Sequence, residues 1–243
     1  IGTGGLVKLS QLSQLLTRPL GVKSAVNPVE AAGAADAERL DEARDNAPLT
    51  ILTLDRIVSL QDYEDFARAY TGIEKSLATW TWKGQKRNIF ITVAGTNGEE
   101  VKKESLLYNN LLLAIRNAGD THVPVTLESY VPKYFRVAAN IKIDPAYLND
   151  IVLNAVTAAL RSNFSFRARS FGQPVNLSEL IAVIQQVAGV TAVDVDYLYL
   201  AADAVPAPHT RLIASIPVTN NDTVFAAELL TLDPQPIDLK VIV

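Results

Sequence analysis

Two kinds of apolar spacing follow one another along this chain, and their order restricts the folds open to it. Apolar residues every three or four positions indicate an amphipathic helix, and two-residue alternation indicates a half-buried strand. The first half of the chain shows both patterns in turn, with a helix from residue 59, strands at 76–82 and 88–94, a helix at 102–118 and a strand at 125–131. This order predicts an α-β-β-α-β lobe over residues 49–131.

Local signals mark the ends of these elements. Ser59 precedes the first helix and Asp62 lies three positions later, which predicts a capping arrangement at its start. Gly72 is placed where a helix C-terminal cap belongs. The five polar and glycine residues at 83–87 separate the two strands, and they predict a hairpin.

A second set of patterns begins at Pro132. A strand is predicted at 134–143, and the pair Asp144-Pro145 then predicts a helix start. The helix carries a continuous apolar stripe that we expect to be buried, formed by Leu148, Ile151, Val152, Ala155, Val156, Ala159 and Leu160. A shorter helix begins at Asn176 and ends at Gly189, and a strand follows at 190–200. These patterns predict a β-α-α-β lobe over residues 132–200.

The two ends of the chain lack this regularity. Residues 1–48 are interrupted by glycine and proline, and we interpret them as an extended arm with a short acidic helix at 36–45. Residues 201–243 contain three short strand-like stretches and predict a β-rich tail. The fold class is therefore α+β, with two small α/β lobes, an extended N-terminal arm and a β-rich C-terminal tail. The chain begins with Ile1 and contains no Met, so we expect a sequence that is processed, truncated or only partly represented.

Composition excludes several kinds of site. There are no cysteines, which removes disulfides and thiolate chemistry, and the two histidines do not have metal-ligand spacing. The net charge is −4, which disfavours a general nucleic-acid binder because such proteins neutralise many phosphates. No apolar run approaches the length of about 20 residues that a membrane helix needs. We predict no integral membrane segment.

Three small clusters are weak candidates for chemistry. The glycines at 2–5 lack the strand, helix and spacing of a phosphate loop. Asp194 and Asp196 share one face of a predicted strand, where two carboxylates are able to bind a cation or act as acid and base. His122 and His209 lie in loops. We predict no catalytic residue, no cofactor and no metal site, and we keep as an alternative a tail-associated hydrolase using Asp194, Asp196 or another acid pair.

Two basic clusters are the candidate interaction surfaces. One lies on the hairpin, and the other combines arginines with phenylalanines after the long helix. Arginine and aromatic residues are enriched at protein interfaces, and the same combination binds single-stranded nucleic acid. We predict a protein interface and keep two alternatives, a plain solvated surface and nucleic-acid binding. The candidate residues of the protein interface are Lys83, Lys86, Arg87, Arg161, Phe164, Phe166, Arg167 and Arg169.

Trp80 and Trp82 share one face of the predicted strand 76–82. Large aromatic side chains bury much apolar area, so we predict core packing for both. An interface or ligand-binding face is the alternative.

Several motifs resemble the baseplate J family. The Arg-Asp-Asn-Ala-Pro run at 44–48 precedes Leu-Asp-Arg-Ile-Val-Ser-Leu-Gln-Asp-Tyr-Glu-Asp-Phe-Ala at 54–67. A Gly-Thr-Gly-Gly segment at 2–5 and a Val-Asn-Pro element at 26–28 lie upstream. Downstream, Phe-Gly-Gln-Pro-Val at 171–175 and Val-Ala-Gly-Val at 187–190 are similar to the C-terminal pattern of the family. The motifs occur in the family order over nearly the whole chain.

This resemblance implies a structural, non-enzymatic wedge subunit of a contractile phage tail or injection particle. It implies a role in linking the central spike hub to the sheath and fibre attachments, with rearrangement on contraction. The implied partners are other baseplate subunits, copies of itself or a paralogue, spike and hub proteins, sheath-initiating proteins and fibre attachments. Assembly in the bacterial cytoplasm is implied, and nucleic acid is not an expected partner. The chain resembles the C-terminal part of a longer subunit.

Overall fold

The computed structural model describes residues 2–17, 19–31, 57–84, 86–203, 205–220 and 223–242. The chain divides into two compact units, Ile1–Ser129 and Tyr130–Val243. The first unit combines helices with a three-stranded sheet, and the second combines helices with a four-stranded sheet. The α+β class predicted from the sequence is confirmed.

The first α-helix among the described residues of the first unit is α1 (Leu60–Ala69). The Ser59 hydroxyl accepts a hydrogen bond from the Asp62 N–H at 3.2 Å, and the Asp62 carboxylate accepts one from the Ser59 N–H at 2.7 Å. The predicted capping box is therefore present. The helix ends at Ala69, and Gly72 lies in the following turn with a φ of +96°.

Three strands and one further helix complete this unit. Strands β1 (Ile73–Lys83) and β2 (Lys86–Gly95) form the predicted antiparallel hairpin. Strand β3 (Val125–Ser129) runs parallel to β2, and helix α2 (Leu106–Ala118) lies between β2 and β3 in the chain. Helix α2 begins four residues later than predicted because Ser105 caps it, accepting a hydrogen bond from the Tyr108 N–H.

The core of the first unit lies between its sheet and its helices. Ile89 and Ile91 from β2, Leu127 from β3 and Leu111 and Ile115 from α2 are fully buried in one cluster. Because these side chains come from several elements, each element depends on the others for its burial.

Strand β4 (Val131–Ile143) is the centre of the second unit. Strand β6 (Val190–Leu200) pairs antiparallel with β4 along one side. Strands β10 (Glu228–Leu232) and β11 (Asp238–Ile242) pair parallel with β4 along successive stretches of the other side. The C-terminal tail, predicted as a segment of its own, is therefore part of the sheet of the second unit.

Two helices pack on this sheet. Helices α3 (Asn149–Asn163) and α4 (Leu177–Gln185) contribute buried residues to a cluster that includes Phe135 and Ile141 of β4. The remaining strands form two-stranded pairs, namely β5 (Val175–Asn176) with β7 (Arg211–Leu212) and β8 (Val218–Asn220) with β9 (Thr223–Phe225).

The start and the buried face of α3 differ from the prediction. The Asp144 carboxylate accepts a hydrogen bond from the Ala146 N–H at 2.9 Å, which forms a turn, and the helix begins only at Asn149. The buried face is formed by Val152, Val156 and Leu160. Leu148 and Ile151 are 70% and 62% exposed, and Ala155 is exposed too, so the burial predicted for these three residues is wrong. The apolar stripe is wider than the face covered by the rest of the unit.

The N-terminal arm is irregular over its described residues 2–17 and 19–31, apart from a short 3-10 helix at Gly2–Gly5. The side chain of Asn27 accepts a hydrogen bond from the Leu12 N–H and donates to the carbonyls of Lys8 and Val29. Several leucines of the arm are exposed, among them Leu16 and Leu20. The acidic helix predicted at 36–45 lies outside the described residues.

Candidate protein-interaction surfaces

The arginine and phenylalanine cluster predicted at 161–169 lies at the end of α3 and in the turns that follow. Phe164 is fully buried and packs edge-on against Phe135, with ring centroids 5.4 Å apart. Phe166 is half-buried, with its ring centroid 6.0 Å from that of Tyr130. Arg161 donates hydrogen bonds to the carbonyls of Pro234 and Gln235. Much of this cluster therefore holds the second unit together.

Arg169 is the clearest departure from the expected surface. Its side chain is 1% exposed, and its Nη1 donates to the Glu179 carboxylate at 2.7 Å. Its Nη2 donates to the carbonyls of Gln173 and Pro174, and the guanidinium lies over the Phe164 ring. Burial lowers the pKa of Arg169, and the charge of Glu179 opposes that shift.

The prediction that Phe164 and Arg169 face a partner is therefore wrong. Phe164 fills the core behind β4, and Arg169 ties the loop before β5 to helix α4. A buried charge needs a partner and hydrogen bonds, and Glu179 with the two carbonyls supplies them. Arg167 is exposed, and it keeps the predicted surface position.

The basic cluster on the hairpin lies at the end of β1 and the start of β2. Lys83 closes the hairpin opposite Lys86, and Arg87 lies opposite Trp82. Lys86 and Arg87 are exposed. These residues remain a candidate interface.

Trp80 and Trp82 are 44% and 59% exposed, so their predicted core packing is wrong. They lie on the same face of β1 as the buried Ala78, and burial along this face falls off toward the hairpin turn. The guanidinium carbon of Arg87 lies 5.3 Å from the ring centroid of Trp80 and 6.0 Å from that of Trp82. The alternative interpretation of this pair, an interface or ligand-binding face, stays open.

A groove of about 390 Å³ adjoins the ring of Trp80. Its walls include Val58, Tyr63, Ile89 and Asp120. Burial raises the pKa of Tyr63, and the negative charge of Asp120 adds to that rise. The hairpin end thus combines exposed aromatic rings, cations and a groove on one unit.

The remaining candidates form no constellation for chemistry. Asp196 accepts a hydrogen bond from the Asn140 amide at 2.9 Å and lies at a bulge in β6, while Asp194 is exposed. His122 and His209 are exposed. Within the described residues, no group of three or more histidine and carboxylate side chains is placed to hold a metal ion. No helix in the same residues is long and apolar enough to cross a membrane.

Two comparisons with known proteins found matches to this chain. Residues 55–128 match the family model of the baseplate J-like central domain. A chain in the cryo-EM structure of the anti-feeding prophage baseplate, symmetrised sixfold, is similar in fold with a TM-score of 0.53 and 14% identity. The similarity covers 91% of this chain and 48% of that chain, so this chain spans about half the length of its structural match. No curated protein matches the sequence.

Proposed function

We propose, on the premise that residues 55–128 belong to the baseplate J-like family, that this protein is a structural subunit of a contractile tail or injection-particle baseplate. The family match carries the proposal. It covers α1, the three-stranded sheet and α2, which are the α-helices and the sheet among the described residues of the first unit. The fold similarity to the anti-feeding prophage baseplate chain extends over both units and adds support.

The proposed role is that of a wedge subunit. In this role the protein links the spike hub to the sheath and to fibre attachments, and it rearranges when the sheath contracts. Its proposed partners are other baseplate subunits, copies of itself or a paralogue, and sheath-initiating proteins, with assembly in the bacterial cytoplasm. The exposed leucines of the arm support extended contacts with partners. Covering apolar side chains that are exposed to solvent lowers the free energy of the complex.

A structural role agrees better with the described residues than either alternative. A hydrolase would need Asp194 and Asp196 in a shaped site, and Asp194 is exposed while Asp196 is hydrogen-bonded to Asn140. A nucleic-acid surface would need the cluster at 161–169 to be free, and Phe164 and Arg169 are buried there. We therefore propose a protein without catalytic activity.

Gene deletion in the producing strain tests this proposal. We expect assembled contractile particles to disappear from electron micrographs, and the unaltered chain supplied in trans to restore them. Asp194→Asn is the matched control, and it should restore particles that contract and act normally. Normal particles in the deletion strain would contradict the structural role. Intact but inactive particles with Asp194→Asn would favour the hydrolase.

A further inference from the structure

We propose that the outer edge of β1 near the hairpin turn binds an extended, acidic segment of a partner protein, which adds to the sheet as a further strand. The proposal goes beyond the structural role above, because it rests on the geometry of one sheet edge and on the side chains beside it. Its failure would leave the baseplate proposal unchanged.

Among the described residues, no strand pairs with the side of β1 that faces away from β2. Strand β1 lies at the edge of the sheet order β1-β2-β3, and in an antiparallel pair alternate residues direct their N–H and C=O groups away from the partner strand. The Ala78 N–H shows which residues these are, since it donates to the Glu64 carboxylate and not to β2. Trp80 and Trp82 lie two and four residues after Ala78, so their backbone N–H and C=O groups also point away from β2. Among the described residues, nothing pairs with their outward backbone groups.

Helix α1 limits the open stretch. Glu64 occupies the Ala78 N–H, and the Ser76 hydroxyl donates to the Glu64 carbonyl. The accessible edge is therefore confined to residues 79–83. A short edge of this length still offers alternating donors and acceptors to an incoming strand, which is the basis of recognition by strand addition.

Two exposed tryptophans distinguish this edge from a protected one. Charged side chains on an edge strand commonly prevent aggregation. Trp80 and Trp82 have the opposite effect, because they present a large apolar area beside unpaired backbone groups. Tryptophan is among the residues that contribute most binding free energy at protein interfaces.

Charge indicates the chemistry of the occupant. Among the described residues, neither Lys86 nor Arg87 forms an ion pair with a carboxylate, and Arg87 contacts the two indole rings. A glutamate or aspartate on the incoming strand would supply the missing charge. Single-stranded nucleic acid fits less well, because its phosphates would leave the outward carbonyls of Trp80 and Trp82 without donors.

Intrinsic fluorescence of the full chain measures this binding directly, since Trp80 and Trp82 are its only tryptophans. The probe is a short acetylated and amidated peptide of alternating valine and glutamate, and the control peptide has lysine in place of glutamate. We expect a saturable blue shift of the emission with the glutamate peptide and none with the lysine peptide. No saturable shift up to about 1 mM peptide would overturn the proposal.

Matched variants separate the backbone contribution from the charge. Trp82→Pro removes one outward N–H and leaves the β1–β2 ladder intact, so it should weaken binding about tenfold or more, whereas Trp82→Phe keeps that N–H and should bind. Arg87→Glu should transfer the preference to the lysine peptide, while the exposed control Arg116→Glu should not. The proposal would be overturned if Trp82→Pro bound the glutamate peptide as tightly as the unaltered chain. It would also be overturned if only oligothymidylate shifted the tryptophan emission, or if the chain associated with itself through this edge.

Discussion

Arg169 shows how a single side chain changes from a predicted contact residue to a structural one. In the sequence it is one of three arginines among phenylalanines, a pattern typical of interfaces. In the structure its guanidinium is enclosed by Glu179, two backbone carbonyls and the Phe164 ring. Composition could not reveal this, because Glu179 lies ten residues away on another element and only the folded loop brings the two together.

Replacing Arg169 with alanine should destabilise the second unit. The change leaves Glu179 without its partner and removes the donor from two carbonyls, and breaking such a pair costs about 3 kcal/mol of unfolding free energy. Arg167→Ala is the matched control, since Arg167 is exposed, and it should have a much smaller effect. Amide hydrogen exchange of peptides from α3 and α4 reports the stability of this unit. Equal exchange in the two variants would contradict the assignment of Arg169.

Helix α3 was predictable from the spacing of its apolar residues, but the face that it buries was not. Apolar residues occupy more of the helix circumference than the rest of the unit covers. Val156 is fully buried, and Ile151 is largely exposed near the helix start. By contrast, the capping box of α1 and the β1–β2 hairpin were predicted correctly, since both depend on residues close together in the chain.

A pair of aspartate substitutions tests which face of α3 is buried. Val156→Asp should unfold the second unit or reduce its unfolding free energy by roughly 3 kcal/mol or more, because it places an unpaired charge in the core. Ile151→Asp should change that free energy by only about 0.5 kcal/mol, since the side chain is exposed and an acid suits the first helical turn. Urea denaturation followed by far-ultraviolet circular dichroism measures both. Similar losses would show that the buried face is assigned wrongly.

Across the whole molecule, predictability falls with distance along the chain. Strand β10 pairs with the start of β4, which lies about a hundred residues earlier in the chain. No local sequence pattern predicts that pairing. The exposure of Trp80 and Trp82, at 44% and 59%, was likewise not predictable from the spacing of apolar residues in β1. The family resemblance was accessible because several short motifs occur together in order, and the family model confirms it over residues 55–128.

Locating this chain in purified particles tests most directly whether it is a structural part of a baseplate. Cryo-electron microscopy of contractile particles from the producing strain should show density for the three-stranded sheet and its two helices in the baseplate, next to the central spike. Mass spectrometry of the same particles should detect the chain. Its absence from the particles, or its location only in a tail tube, sheath or capsid, would contradict the account.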